Sequence, residues 1–144
     1  MHVADILKRK GTQVVTVNAA DLIIAAADKM NANRIGALVV LDEDAHVAGI
    51  ISERDVVRGL AEYGAEILAR KVESLMSTRL HVCRPSDDIK DVMARMTNYR
   101  IRHLPVIEGD TLHGLISIGD VVKYRLDEVQ TEAKVLRDIV ITHR

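Results

Sequence analysis

The chain has 144 residues, with 20 Lys and Arg against 21 Asp and Glu, so its net charge of −1 excludes the basic footprint that binds nucleic acid or anionic lipid. Three Tyr, no Phe and no Trp also deny it the stacking surfaces of a single-strand nucleic-acid binder. Its length allows one compact domain or two very small ones, and a lone cysteine, Cys83, excludes an internal disulfide and fits a reducing cytoplasm.

In chain order, residues 1–11 carry charges among few apolar side chains and have no signal-peptide core. The phrase Val3-Ala-Asp-Ile-Leu7 predicts a short leader helix. A strand is expected at 15–17 and a turn at 18–20. A helix follows with its apolar face on Ile23, Ala26, Ala27 and Met30. Residues 37–41 read as a buried strand, and the polar turn Asp42-Glu43-Asp44 predicts a hairpin with a strand at 47–52, from which a second helix leaves. The longest apolar runs, 22–27 and 37–41, are too short to cross a bilayer. Residues 64–76 read as a polar helix ending in Val72-Glu-Ser-Leu-Met76, a phrase like the leader.

The series then starts again. A strand at 81–83 and a turn at 84–86 precede a helix with Ile89, Val92, Met93 and Met96 on one face. The strand at 104–107 contains Pro105, which marks an edge or a bulge. A turn at 108–110, a strand at 112–117 and a last helix complete it. In that helix Val122, Leu126, Val129, Ala133, Leu136 and Val140 recur at heptad spacing. Such a seam either packs on its own domain or, the preferred reading, mediates self-association.

Residues 16–57 and 82–122 are two copies of one unit. Asp21, Ile23, Met30, Arg34, Ile35, Leu38 and Val40 recur 66 positions on as Asp87, Ile89, Met96, Arg100, Ile101, Leu104 and Val106. After a one-residue deletion in the turn, Gly49, Ile51, Ser52, Asp55, Val56 and Val57 recur as Gly114, Ile116, Ser117, Asp120, Val121 and Val122. A unit repeated in tandem buries with its neighbour a face it could not bury alone, and a site in one copy has a counterpart in the other.

The strongest local signal is Gly-x-Ile-Ser-x-x-Asp, at 49–55 and 114–120, where a strand gives way to a helix. Ser52 with Asp55, and Ser117 with Asp120, have the form of a capping box, which would account for them structurally. The same junction presents free amides and a positive helix end that suit phosphate, and an Asp there can accept two hydrogen bonds from a ribose diol. Both readings stand at this point.

The duplicated β-α-β-β-α unit, with Arg-Ile-x-x-Leu-x-Val on its second strand and the Gly-h-h-Ser-x-x-Asp junction, resembles a tandem pair of cystathionine-β-synthase (CBS) domains, a Bateman-type module. The resemblance covers roughly residues 3 to 128. It implies an α+β fold of two repeats packed sheet to sheet about a pseudo-twofold axis, with a long C-terminal helix beyond them. It also implies two clefts, often composite between repeats, for adenosine ligands such as AMP, ATP or NAD(H). By the resemblance, ribose binding falls on Asp55 and Asp120, and phosphate on Ser52 and Ser117. Adenine would lie against Thr16, Val17, Asn18, Ala37 and Leu38 in one copy, and Val82, Cys83, Leu104 and Pro105 in the other.

Phosphate needs cations, and Arg34 and Arg100 are equivalent in the two copies, with Arg102 and His103 added in the second and Arg54 inside the first motif. The six histidines form no metal-ligand pattern, and no Walker loop, G-x-S-x-G or G-x-G-x-x-G occurs. No metal and no catalysis are therefore expected. The expected organisation is a first repeat with leader and connecting helix over 1–76, a second repeat over 77–128 and a helical extension over 129–144. The expected function is a stand-alone, cytoplasmic, homodimeric sensor of an adenine nucleotide, acting on a protein partner in trans, with no nucleic-acid or membrane partner. The alternatives are a purely structural dimerisation module and, further off, a nucleotide-hydrolysing enzyme.

Overall fold

A computed structural model describes residues 1–142, so His143 lies outside the described residues. In chain order it contains α1 (Val3–Lys10), β1 (Thr16–Asn18), α2 (Ile23–Asn33), β2 (Ala37–Leu41), β3 (Val47–Ser52), α3 (Glu53–Tyr63), α4 (Ile89–Tyr99), β4 (His103–Glu108), β5 (Thr111–Ser117) and α5 (Ile118–Thr142). The fold is α+β, with two small sheets and a long C-terminal helix, as the sequence predicts. Two compact units divide the chain.

One unit comprises Gln13–His81 with Gly109–Leu112. Its sheet runs β1-β2-β3: β1 lies parallel to β2, with Val17 opposite Val40, and β2 antiparallel to β3, with Ala37 opposite Ser52. Val17, Ile23, Met30, Leu38, Val40 and Ile51 form its core, closed by Ile67 and Val72 from the segment after α3. That segment is not the helix expected over 64–76. It forms two short 3-10 turns, Ala65–Ala69 and Val72–Ser74. The physical reason is where its backbone bonds go. The Val72 and Glu73 amides donate to the carbonyls of Asp21 (2.8 Å) and Ala19 (3.1 Å), and Ser77 exchanges two bonds with Ile50 on β3. A chain that straps the β1–α2 turn and then the outer edge of β3 cannot also close i to i−4 rings.

The other unit comprises Met1–Thr12, Val82–Glu108 and the chain from His113 on. The leader helix α1, expected with the first repeat in 1–76, belongs here. Val3, Ile6 and Leu7 are buried in one cluster with Ile89, Val92, Met96, Leu104 and Ile116 of the second repeat. The Val3 and Ala4 amides donate to the carbonyls of Asp87 and Pro85, both at 2.9 Å. These are the counterparts of the Val72 and Glu73 bonds, so each leader phrase straps the copy it pairs with by position in the fold rather than the copy it precedes. The second sheet is β4-β5 alone. The strand expected at 81–83 shrinks to one parallel bridge, Cys83 opposite Val106, with the Cys83 amide on the Pro105 carbonyl at 3.0 Å and the Ile107 amide on the Cys83 carbonyl at 2.8 Å. Pro105 has no N–H to give the preceding rung, so the ladder stops there.

The glycine that opens the repeated motif has a packing reason in both units. A Cβ on Gly114 would lie 2.6 Å from Leu7 Cδ2, and one on Gly49 would lie 2.6 Å from the Ser77 carbonyl oxygen. The strap crosses the strand at this point and only a hydrogen fits beneath it.

Candidate functional site

The two Ser-x-x-Asp junctions form as the sequence predicts for capping boxes. Ser52 is the N-cap of α3: its Oγ accepts from the Asp55 amide at 3.3 Å, while Asp55 Oδ2 accepts from the Ser52 amide at 2.8 Å and hydroxyl at 3.0 Å. At the head of α5 the Ser117 amide donates to Asp120 Oδ2 at 2.9 Å and the Asp120 amide to Ser117 Oγ at 3.1 Å. Each acid thereby covers an amide that the helix start leaves without an intrahelical partner.

Each junction lies against the start of its own repeat's second strand. The Glu53 amide donates to the Gly36 carbonyl at 3.0 Å, and the Ile118 amide to the Arg102 carbonyl at 2.8 Å. Within each unit, the turn holding Arg34 or Arg100 is therefore chained to the N-terminus of the helix that carries the aspartate. Arg34 and Arg100 are the left-handed C-caps of α2 and α4, with φ of 53° and 54°. A non-glycine residue at positive φ is strained by about 1 kcal/mol or more, and here an arginine takes that conformation in both copies. Both arginines are exposed, as are Arg54 on α3 and Arg102. His103, half-buried, begins β4.

The residues expected against adenine divide by burial. Val17, Leu38, Cys83 and Leu104 are core side chains, and Ala37 and Pro105 are also buried. Thr16 is half-buried, while Asn18 and Val82 are exposed. Burial above all, and then the nearby Asp87 charge, push the Cys83 thiol up to about 12 against the opposing pull of Arg95, so it stays protonated and unreactive at neutral pH.

Four further cations belong to this geometry and were not singled out from the sequence. Lys29 Nζ donates to the Thr16 carbonyl at 2.7 Å, and its counterpart Arg95 donates to the Val82 carbonyl at 3.0 Å and pairs with Asp87 at 2.9 Å. The 66-residue offset would have found this pair. Arg58 Nη2 donates to Asp55 Oδ1 at 2.7 Å, from a guanidinium 63% exposed onto a carboxylate 12% exposed. Lys10, on α1, donates to Asp120 Oδ2 at 2.7 Å and to the Leu115 carbonyl at 2.8 Å. Burial works to raise the Asp120 pKa, but the hydrogen bonds from Lys10 and Ser117 together with the Lys10 charge outweigh it and hold the carboxyl below its ordinary 3.8. No sequence signal near Asp120 points to a lysine 110 positions away.

Among the described residues, Asp42, Asp44 and His46 bring potential metal-ligand atoms together in the β2–β3 turn. All three are exposed, and Asp42 Oδ1 already accepts the Asp44 and His46 amides at 2.9 Å, so the turn itself accounts for the grouping. No helix of the described residues is long and apolar enough to cross a membrane.

The likeness to known proteins follows the repeat. The profile of the CBS domain matches residues 3–62 and again residues 72–127. A mitochondrial CBS domain-containing protein of Arabidopsis thaliana is 33% identical over 138 residues, which cover 90% of this chain and 67% of that protein. A 33.4 kDa protein of Thermofilum pendens is 40% identical over 90 residues, covering 62% of this chain, and the match spans 29% of its length. Among solved structures, a CBS-domain protein of Agrobacterium tumefaciens superposes with a TM-score of 0.83 at 44% identity, covering 86% of this chain and 92% of that one. A protein with CBS domains from Burkholderia ambifaria gives 0.82 at 40% identity, with 88% and 95% covered. The CBS domain pair of protein MJ0100, solved in complex with 5'-methylthioadenosine and S-adenosyl-L-methionine, shares the fold at a TM-score of 0.79 and 22% identity, with 89% and 98% covered. Matched twice along most of its length, this chain belongs to the CBS domain family and carries its repeats as a tandem pair.

Proposed function

We propose that each repeat binds the ribose and phosphate of an adenine nucleotide at its Ser-x-x-Asp junction, and that the protein is a regulatory sensor of AMP, ATP or NAD(H) rather than an enzyme. One observation carries the reading. In each unit an exposed arginine in a strained left-handed turn, Arg34 or Arg100, is chained to the N-terminus of the helix that bears Asp55 or Asp120. That combination offers a cation and the positive end of a helix dipole to a phosphate, and a carboxylate to a vicinal diol. Ser52 and Ser117 stand beside the phosphate, with Arg54, Arg102 and His103 as further donors. Adenine meets the half-buried Thr16, the exposed Asn18 and Val82, and the backbone of Val17, Ala37, Leu38, Cys83, Leu104 and Pro105. The adenosine ligands of the related pair MJ0100 support an adenosine compound here. The arginines favour phosphorylated adenosines over S-adenosylmethionine, whose sulfonium they repel.

The competing reading is that the aspartates serve only as caps, and the complete capping boxes favour it. Calorimetric titration with AMP, ATP, NADH and S-adenosylmethionine separates the two. Asp55→Ala and Asp120→Ala are each expected to remove one binding event, at roughly 1–3 kcal/mol of affinity for the polar groups left without a partner. If both variants bind every nucleotide like the wild type and only melt lower, the aspartates are caps and the sensor reading fails. Turnover of ATP or NAD in the same samples would instead point to a hydrolase.

The second part of the proposal is a homodimer joined through α5, working in the cytoplasm on a protein partner in trans. Val122, Leu126, Val129, Ala133, Leu136 and Val140 are all exposed along one seam of that helix. With Leu126 and Ala133 at a and Val129 and Leu136 at d, Glu132 falls at g and Arg137 at the following e. Those opposite charges face one another in a parallel pair of identical helices, so the occupant of the seam is a second copy of the chain.

A further inference from the structure

The two junctions are built alike but neutralised differently. Asp55 draws its cation from its own helix, from Arg58 three residues on. The residue equivalent to Arg58 in the second repeat is Lys123, which is exposed. Asp120 is served instead by Lys10 of α1, whose ammonium lies 2.7 Å from Oδ2 and 2.8 Å from the Leu115 carbonyl. The same Oδ2 accepts the Ser117 amide at 2.9 Å. A carboxylate oxygen has two lone pairs, so Oδ2 is fully used. A diol held by both oxygens of Asp120 needs one of those positions back.

Lys10 does not sit there alone. Next to it, Arg9 pairs with Asp127 at 3.6 Å and lies over the Tyr124 ring, 4.9 Å from its centroid. Asp120, Tyr124 and Asp127 follow one another at i, i+4 and i+7, a single stripe of α5. The last turn of α1 is thus fastened along that stripe, and one of its fastenings is the carboxylate at the binding junction.

We propose that Lys10 is a ligand-displaceable latch on Asp120: a ribose diol bound there evicts the ammonium from Oδ2 and frees the last turn of α1 from α5. This rests on Asp120 being the ribose acceptor of the second repeat. Occupancy of the second repeat is thereby passed to another element. In the first repeat Arg58 swings on the helix that already carries Asp55 and moves nothing else. The displaced ammonium is half-exposed and goes to solvent, so it needs no new partner.

Adenosine is the probe, because it has the diol and no phosphate to attract a lysine. Calorimetry on the full chain should find Lys10→Met binding adenosine about fivefold tighter than wild type, the gain expected for removing a partly exposed ion pair, with Lys10→Arg close to wild type. Raising ionic strength should strengthen adenosine binding to the wild type, since salt screens the competing pair, and leave Lys10→Met unchanged. Hydrogen exchange adds a readout that packing alone would not move. The Gly11 amide, which closes α1 on the Leu7 carbonyl at 2.8 Å, should exchange faster when adenosine binds the wild type and be fast already in Lys10→Met. The latch is overturned if Lys10→Met binds adenosine no tighter than wild type while Asp120→Asn loses the site, and the ribose reading then survives. If Asp120→Asn binds adenosine like wild type, the ribose reading is overturned and the latch with it.

Discussion

Gly49 and Gly114 hold the same place in the repeat, yet they answer to different neighbours. The Cβ of an alanine at 49 would meet a backbone oxygen held by the Ile50–Ser77 pairing, which cannot move without breaking two hydrogen bonds. At 114 it would meet the tip of the Leu7 side chain, which can rotate. Gly49→Ala is therefore expected to destabilise by roughly 1–3 kcal/mol, the usual range for overpacking, and Gly114→Ala by clearly less. Denaturant unfolding of the two variants checks the order. A larger loss at 114 would mean that Leu7 is held more rigidly than its packing implies. The aspartates six residues on belong to the same scale: the motif's spacing fixes their capping role, while the cations that reach them, Arg58 and Lys10, come from unlike places.

Among the elements, the two leader phrases read alike and fold unlike. Val3 and Val72 are both fully buried and donate to equivalent carbonyls, yet the first begins an eight-residue helix and the second a single 3-10 turn. The first runs on into Lys8, Arg9 and Lys10, which suit a helix C-terminus, and Asp5 caps its start through the His2 amide at 2.8 Å. The second is drawn into pairing with β3. Trimming either valine to alanine should cost roughly 1–2 kcal/mol, from two buried methyls and the space they leave. The damage should fall on opposite repeats. Val3→Ala should loosen α4 and β4 of the second repeat, and Val72→Ala should loosen α2 and β2 of the first, as read by hydrogen exchange. Loosening of α2 by Val3→Ala would contradict the strapping described above.

At the scale of the whole molecule, the described residues of α5 leave a long apolar seam uncovered. Along α5 only Val121 and Tyr124 are buried, while Leu126 and Leu136 are 55% and 64% exposed. Because both leucines are largely exposed, Leu126→Glu with Leu136→Glu should leave the circular dichroism unchanged and convert the proposed dimer to a monomer in light scattering. The two glutamates would place charge in an apolar seam with no partner. If the folded double variant keeps the wild-type mass, the seam does not join copies.

The sequence by itself determined what is local or periodic. The tandem repeat, the helices over α2 and α4, the hairpins and the capping of Ser52 and Ser117 by Asp55 and Asp120 all follow from patterns a few residues long, repeated once. Tertiary structure alone decided which segments meet. Composition cannot show that α1 closes the core of the second repeat, that residues 64–76 lie as a strap rather than a helix, or that Lys10 reaches Asp120. Each depends on a backbone group or carboxylate far along the chain offering a better partner than the local one. Pro105 stands between the two cases. Its missing N–H is plain in the sequence, but that the loss cuts the first strand of the second repeat to a single bridge at Cys83 depends on which side of β4 that N–H would have faced.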